Sequence, residues 1–140
     1  MEYPSDGNDL HLRNGYPSVY YQFLHNIMSE KVDDIVFPLP LPGLMGAVFF
    51  EQQKASPDSI YIDGCHDEDC VFEDISKWFP LLQDGGIIFG DDYERAGVKN
   101  AVKRFCDSKP KCQQMTLIWR DWETRGNFPA GPTLYVLQKI

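Results

Sequence analysis

Apolar residues along this chain come in two rhythms. Val19, Tyr20, Phe23, Leu24, Ile27 and Met28 recur at helical spacing, which predicts an amphipathic helix over Val19 to Lys31 with Ser18 as its N-cap. Ile35-Val36-Phe37 predicts a short strand, stopped by Pro38, Pro40 and Pro42, which cannot donate to a sheet ladder. Gly43 to Lys54 reads as a helix with Leu44, Val48 and Phe49 on one side. After the turn Ser56-Pro57-Asp58, the run Ser59 to Ile62 reads as a strand. Glu68 to Leu82 is helical in pattern, with Val71, Ile75, Trp78 and Phe79 as its buried stripe and Pro80 distorting the last turn. The turn Gln83-Asp84-Gly85-Gly86 leads to a strand, Ile87 to Gly90, that is apolar throughout and so predicted to be buried on both faces. Val98 to Cys106 predicts a helix with Val98, Ala101, Val102 and Phe105 inward. Gln114 to Trp119 and Thr133 to Leu137 predict an antiparallel pair at a sheet edge. Met1 to Gly15, polar and without period, reads as a flexible arm, which leaves residues 16–140 as a single domain. Helices alternating with strands in this order predict an α/β three-layer sandwich with a mostly parallel sheet.

Composition narrows the partners. A chain of 140 residues suits one domain, and its formal net charge of −8 offers nothing to a phosphate backbone or an anionic membrane. No nucleic acid and no membrane are therefore expected. No apolar run approaches the ~20 residues needed to span a bilayer, and the polar N-terminus shows no secretory signal. Cys65, Cys70, Cys106 and Cys112 form no CxxC pair and read as reduced thiols of a cytoplasmic protein.

The chemistry gathers where two strands stop. Ser59-Ile60-Tyr61-Ile62 runs into Asp63-Gly64-Cys65-His66, and Ile87-Ile88-Phe89-Gly90 runs into Asp91-Asp92-Tyr93. Ligands of open α/β sheets bind at the carboxyl ends of strands, so Asp63, His66, Asp91 and Asp92 should surround one crevice. Carboxylate oxygens at adjacent strand ends suit Mg²⁺; the plainer reading makes Asp91 a helix cap and leaves Asp92 solvated. A histidine side chain ordinarily changes charge near neutrality, so His66 suits a general base; its plainer role is a loop or cap histidine bonded locally. Cys65 beside His66 could be a thiolate or, with Cys70, part of a soft-metal site, but no full ligand set accompanies them. Arg95 and Lys99 suit either an anionic substrate or local neutralisation of the acids.

Taken together, Ile62-Asp63-Gly64-x-His66, Trp78-x-Pro80-Leu81-Leu82, Gly85-Gly86 and Gly90-Asp91-Asp92-Tyr93 resemble class I S-adenosylmethionine-dependent methyltransferases. The resemblance is to small-molecule O-methyltransferases with an IDGxH strand end and a later DDY. Tyr21-Gln22-Phe23-Leu24-x-Asn26 also fits, and the likeness extends from Tyr20 to the C-terminus. It implies a Rossmann-like fold, S-adenosylmethionine as cofactor, and methyl transfer to an oxygen of a small-molecule acceptor. It assigns Pro38, Leu39, Asp63, Gly64 and His66 to the cofactor, and His66 and Asp92 to catalysis. Asp63, Asp91 and Asp92 match positions that hold a metal in some sugar and antibiotic O-methyltransferases. Trp119, Trp122 and Phe128 fall where relatives form the acceptor pocket. Cys65 stands where relatives often carry Asp or Ser.

One departure from the family pattern matters. The family opens with a strand and a glycine-rich turn, and a second strand ends in an acid that binds the ribose; no GxGxxG-like run is present here. The chain thus reads as an N-terminally truncated version of the fold. The lacking strands would lie between Ile35-Val36-Phe37 and Ser59 to Ile62. A buried sheet edge left open invites association, so a homo-oligomer is expected through that edge or its helices, unless Ile35-Val36-Phe37 closes onto it. The alternative function is a catalytically inactive methyltransferase-like fragment acting as an oligomeric or interaction module.

Overall fold

The computed structural model describes residues 12–109, 112–117 and 134–140. They fall into two compact units, divided between Pro40 and Leu41.

In the first unit, β1 (Leu12–Arg13) and β2 (Tyr16–Pro17) pair antiparallel. The two residues between them, Asn14 and Gly15, take φ of 51° and 83°, the left-handed pair that suits the twist of a tight hairpin. The hairpin thus takes in the end of the stretch read as a loose arm. Helix α1 (Ser18–Ser29) follows. Ser18 is its first residue rather than its cap: Pro17 precedes the helix, and no side chain caps it. The Tyr21 hydroxyl donates to the Arg13 carbonyl at 2.8 Å, and the Tyr16 and Tyr20 rings stack at 5.3 Å, which ties helix to hairpin.

The strand expected at Ile35-Val36-Phe37 does not form. The amides of Ile35 and Val36 turn back to the Val32 carbonyl, at 3.1 and 2.9 Å. Ile35 and Phe37 are largely exposed. Three apolar residues before a proline-rich run have too few donors to hold a ladder, and the turn satisfies their backbone instead.

The second unit runs α2 (Gly43–Gln52), β3 (Ser59–Ile62), α3 (Glu68–Trp78), β4 (Ile87–Gly90), α4 (Ala96–Ser108), β5 (Cys112–Leu117) and β6 (Leu134–Lys139). The sheet order is β3-β4-β6-β5. β3 and β4 are parallel, from Ser59↔Ile87 to Ile62↔Gly90, and β6 runs antiparallel to both its neighbours. Among the described strands, only β6 therefore points against the others, beside the edge formed by β5. This is the Rossmann-like α/β arrangement expected, with its antiparallel C-terminal edge. Strand β5 begins earlier than expected, and Trp119 lies outside the described residues, as do Trp122 and Phe128.

The core joins α3 and α4 to one sheet face. Val71, Ile75 and Phe79 meet Val98, Ala101, Val102 and Phe105 over Ile88, Tyr135 and Leu137. Each such burial contributes about 1.5–3 kcal/mol. Pro80 ends α3 at Trp78 and turns Phe79–Leu81 into a 3₁₀ turn. Glu68 and Asp69 in the first turn of α3 and Lys77 in its last complement the helix dipole. Arg104 reaches across from α4 to Asp69 at 2.8 Å and lies 4.0 Å over the Phe72 ring. Among the described residues, β3 pairs with β4 alone, so its other edge is open. Among them, too, no helix is long and apolar enough to cross a membrane.

Candidate functional site

Because β3 and β4 end level, at Ile62 and Gly90, the acids that follow them emerge side by side. Gly90 allows this closure. A Cβ there would lie 2.4 Å from the Ile62 carbonyl oxygen and 2.7 Å from the Tyr135 hydroxyl, closer than atoms can approach.

Past Gly90 the chain bends sharply. Asp92 takes φ 55°, a left-handed conformation that costs a non-glycine residue about 1–2 kcal/mol and that Asp tolerates better than most. The bend aims its carboxylate at two cationic or proton-donating groups. Oδ2 lies 2.5 Å from His66 Nε2, and Oδ1 lies 3.1 Å from Arg95 Nε. The Arg95 amide also donates to the Asp92 carbonyl at 2.8 Å. A carboxylate only accepts, so neutral His66 carries its proton on Nε2 and leaves Nδ1 as the free base. The His66 loop is fixed from behind by α4: a Cβ on Gly97 would lie 2.1 Å from the His66 carbonyl oxygen.

One carboxylate oxygen each from Asp63, Asp91 and Asp92 lies within 4.8 Å of the other two. The crowding shows in their electrostatics. Burial, then the neighbouring Asp63 and Asp92, holds the Asp91 carboxyl above its usual range. Tyr61 is pushed up to about 12, first by burial and then by Asp91 and Asp63. The Tyr135 hydroxyl is buried and has no hydrogen-bond partner among the described residues. Burial pushes it up first, and Asp74 and Asp91 add to that. Asp74, on α3, is itself raised by burial and then by Glu73.

Two spaces adjoin these groups. A recess of about 10 Å³, the size of one water, is lined by Asp63, Cys65, His66, Asp91, Asp92 and Tyr135 among others. A larger cavity of about 340 Å³ opens beside β3 between Phe50, Tyr61, Asp63, Gly64, Asp74 and Trp78. That volume falls in the range of small-molecule sites, and its aromatic walls with two carboxylates match their usual make-up.

The structure thus gathers Asp63, His66, Asp91 and Asp92, and places Gly64 in the cavity wall. Asp91 caps no helix, since α4 has no side-chain cap. Asp92 is held by His66 and Arg95 rather than left to solvent. Lys99 is exposed on α4. Pro38 and Leu39 belong to the first unit and lie in irregular chain after its last turn. Among the described residues, Asp63, Asp91 and Asp92 are the one set of three ligands grouped for a metal, so Cys65 and Cys70 build no soft-metal site. Sequence reasoning passed over Tyr61, Asp74, Gly97 and Tyr135. Tyr61 was within reach: alternation along a strand puts it on the same side as Asp63. Tyr135 faces Gly90 only through the register of β6, which no local pattern states.

The sequence model of a family described as a methyltransferase domain matches residues 11–93. No curated protein matches the chain. Several solved structures share the fold. An O-methyltransferase from Bacillus cereus in complex with SAH is 17% identical, with a TM-score of 0.57 over 83% of this chain and 55% of its own. A putative O-methyltransferase from Klebsiella pneumoniae is 15% identical, with a TM-score of 0.60 over 92% and 64%. A putative rRNA-methylase from Clostridium thermocellum is 16% identical, with a TM-score of 0.62 over 86% and 69%. The chain thus spans little more than half the length of the Bacillus cereus protein.

Proposed function

The chain belongs to the methyltransferase-domain family, and from that premise we propose that it binds S-adenosylmethionine beside β3 and directs methyl transfer to an oxygen of a small molecule. When bound, the cofactor supplies an electrophilic methyl group. The rest falls to the chain. Asp63 and Gly64 border the cofactor at the end of β3, next to a cavity large enough for a ligand of that class. His66 takes the acceptor proton at Nδ1, while Asp92 fixes the ring through Nε2 and stabilises the imidazolium that forms. This is the division of labour of any carboxylate–histidine pair in base catalysis. Arg95 holds the far oxygen of Asp92 and keeps it aimed.

The observation that carries this reading is the 2.5 Å contact between His66 and Asp92, set among the acids at two parallel strand ends. A hard divalent cation such as Mg²⁺ fits the oxygen donors of Asp63, Asp91 and Asp92, whose mutual repulsion it would relieve. It would lower the pKa of an acceptor hydroxyl. The charge of −8 favours a small acceptor over RNA, although one structural neighbour is a putative rRNA-methylase. A reducing, cytoplasmic setting agrees with the free thiols.

The test is transfer of a labelled methyl group to a panel of phenols, catechols and sugars, with His66→Gln beside the wild type. The variant should lose about 10²–10⁴-fold in kcat, the usual worth of a general base. Wild-type turnover in the variant would remove His66 from the mechanism.

A second reading has its own support. The edge of β3 left open among the described residues, with Tyr61 half exposed on that strand, favours a silent module that associates with a second copy through it. It expects a concentration-dependent oligomer and no cofactor binding.

A further inference from the structure

The four cysteines are free thiols, and two of them meet far from the acidic cluster in sequence. Cys106 lies in the last turns of α4, and Cys112 is the first residue of β5. Their sulfurs are 3.0 Å apart, and both are half buried. The backbone brings them together by consecutive turn bonds. The Lys109 amide donates to the Cys106 carbonyl at 3.2 Å, and the Cys112 amide to the Lys109 carbonyl at 3.0 Å.

We propose that Cys106 and Cys112 form a dithiol site that a hydroperoxide oxidises to a disulfide. The hydrogen bond between the two sulfurs allows either to donate. With Cys112 as the donor, the Cys106 thiol is lowered and the Cys112 thiol raised, which makes Cys106 the thiolate and the nucleophile. In the first step its sulfur attacks the hydroperoxide. The O–O bond breaks, Cys106 becomes a sulfenic acid, and the other oxygen leaves with a proton as the alcohol or water. In the second step the Cys112 sulfur attacks the sulfenic sulfur. An S–S bond forms, and the hydroxyl leaves with the Cys112 proton as water. The two thiols lose two electrons and two protons, and the hydroperoxide is reduced. The bond pins the C-terminal end of α4 to the edge strand.

Cys65 and Cys70 provide the internal comparison. Cys70 is pushed up to about 12, first by its hydrogen bond to Cys65 and then by burial, so it attacks poorly.

The test treats the intact chain with hydrogen peroxide, blocks remaining thiols with N-ethylmaleimide and maps tryptic peptides by mass spectrometry. Cleavage after Lys111 separates the two cysteines, so a bridge appears as linked peptides. Free thiols should fall from four to two, with Cys106 linked to Cys112 within one chain. Dithiothreitol should reverse the link, and the oxidised chain should melt roughly 5 °C higher. In Cys112→Ser, dimedone should trap a sulfenic acid on Cys106 at least tenfold faster than on Cys70. A preferred Cys65–Cys70 bridge, a bridge between chains, or a Cys106 no faster than Cys70 would each overturn the proposal. The wild-type peptide map decides even where the variant folds poorly.

Discussion

Substituting Gly97→Ala should destabilise this protein, although the same change in most helices does the reverse. Gly97 is the second residue of α4, and its added Cβ would lie 2.1 Å from the His66 carbonyl oxygen and 3.1 Å from the Glu68 amide nitrogen. Cβ contacts stay beyond 3.0 Å, so helix and loop must part by at least 0.9 Å. Both opposing atoms are backbone and cannot swing aside. Overpacking of this kind costs about 1–3 kcal/mol, against a gain of at most about 1 kcal/mol in helix propensity. With the full propensity gain offset, the net loss is up to about 2 kcal/mol, or up to roughly 8 °C in Tm for a domain of this size. The displaced loop carries His66, and a misplacement near 1 Å costs about 10²-fold in rate. Thermal and urea unfolding followed by circular dichroism read the first effect, and methyl-transfer kinetics read the second. A variant that melts at or above the wild type would refute the reasoning, since α4 would then not rest on the His66 loop.

Two further substitutions probe the acids and the strand ends. Asp91 has its folded pKa raised, so the stability it contributes is present below its unfolded value near 4 and lost as pH rises through the folded one. Asp91→Asn should therefore melt higher than the wild type at pH 7.5, with the gap closing towards pH 4; Asp74, raised in the same direction, leaves a residual slope in both proteins. An unchanged gap across that range would mean the carboxyls do not crowd one another. Gly90→Ala should cost about 1–3 kcal/mol or prevent folding, because its Cβ meets the Ile62 carbonyl and the Tyr135 hydroxyl. Wild-type melting would show that β3 and β4 do not close in this register.

Much of this was legible in the sequence because the signals are local. The runs Ser59–Ile62 and Ile87–Gly90, each stopped by acids, gave strands, their ends and four polar residues that the structure brings together. The stripes Val71/Ile75/Phe79 and Val98/Ala101/Val102/Phe105 turned out to be the core, since a helix buries what its period aligns. What failed or went unseen depends on neighbours. Ile35-Val36-Phe37 has strand composition, but a strand exists only with a partner, and its backbone found a turn first. The partnership of His66 with Asp92 rests on a left-handed residue and on the close approach of Gly97. The meeting of Cys106 with Cys112 rests on two turn bonds. None of these leaves a periodic trace.

The most direct test of the cofactor assignment is isothermal titration calorimetry of the intact chain with S-adenosylhomocysteine, with and without Mg²⁺, at two temperatures. Saturable one-site binding in the micromolar range or tighter is the expected result. No heat at millimolar ligand at either temperature would contradict it and leave the oligomeric module as the reading that stands.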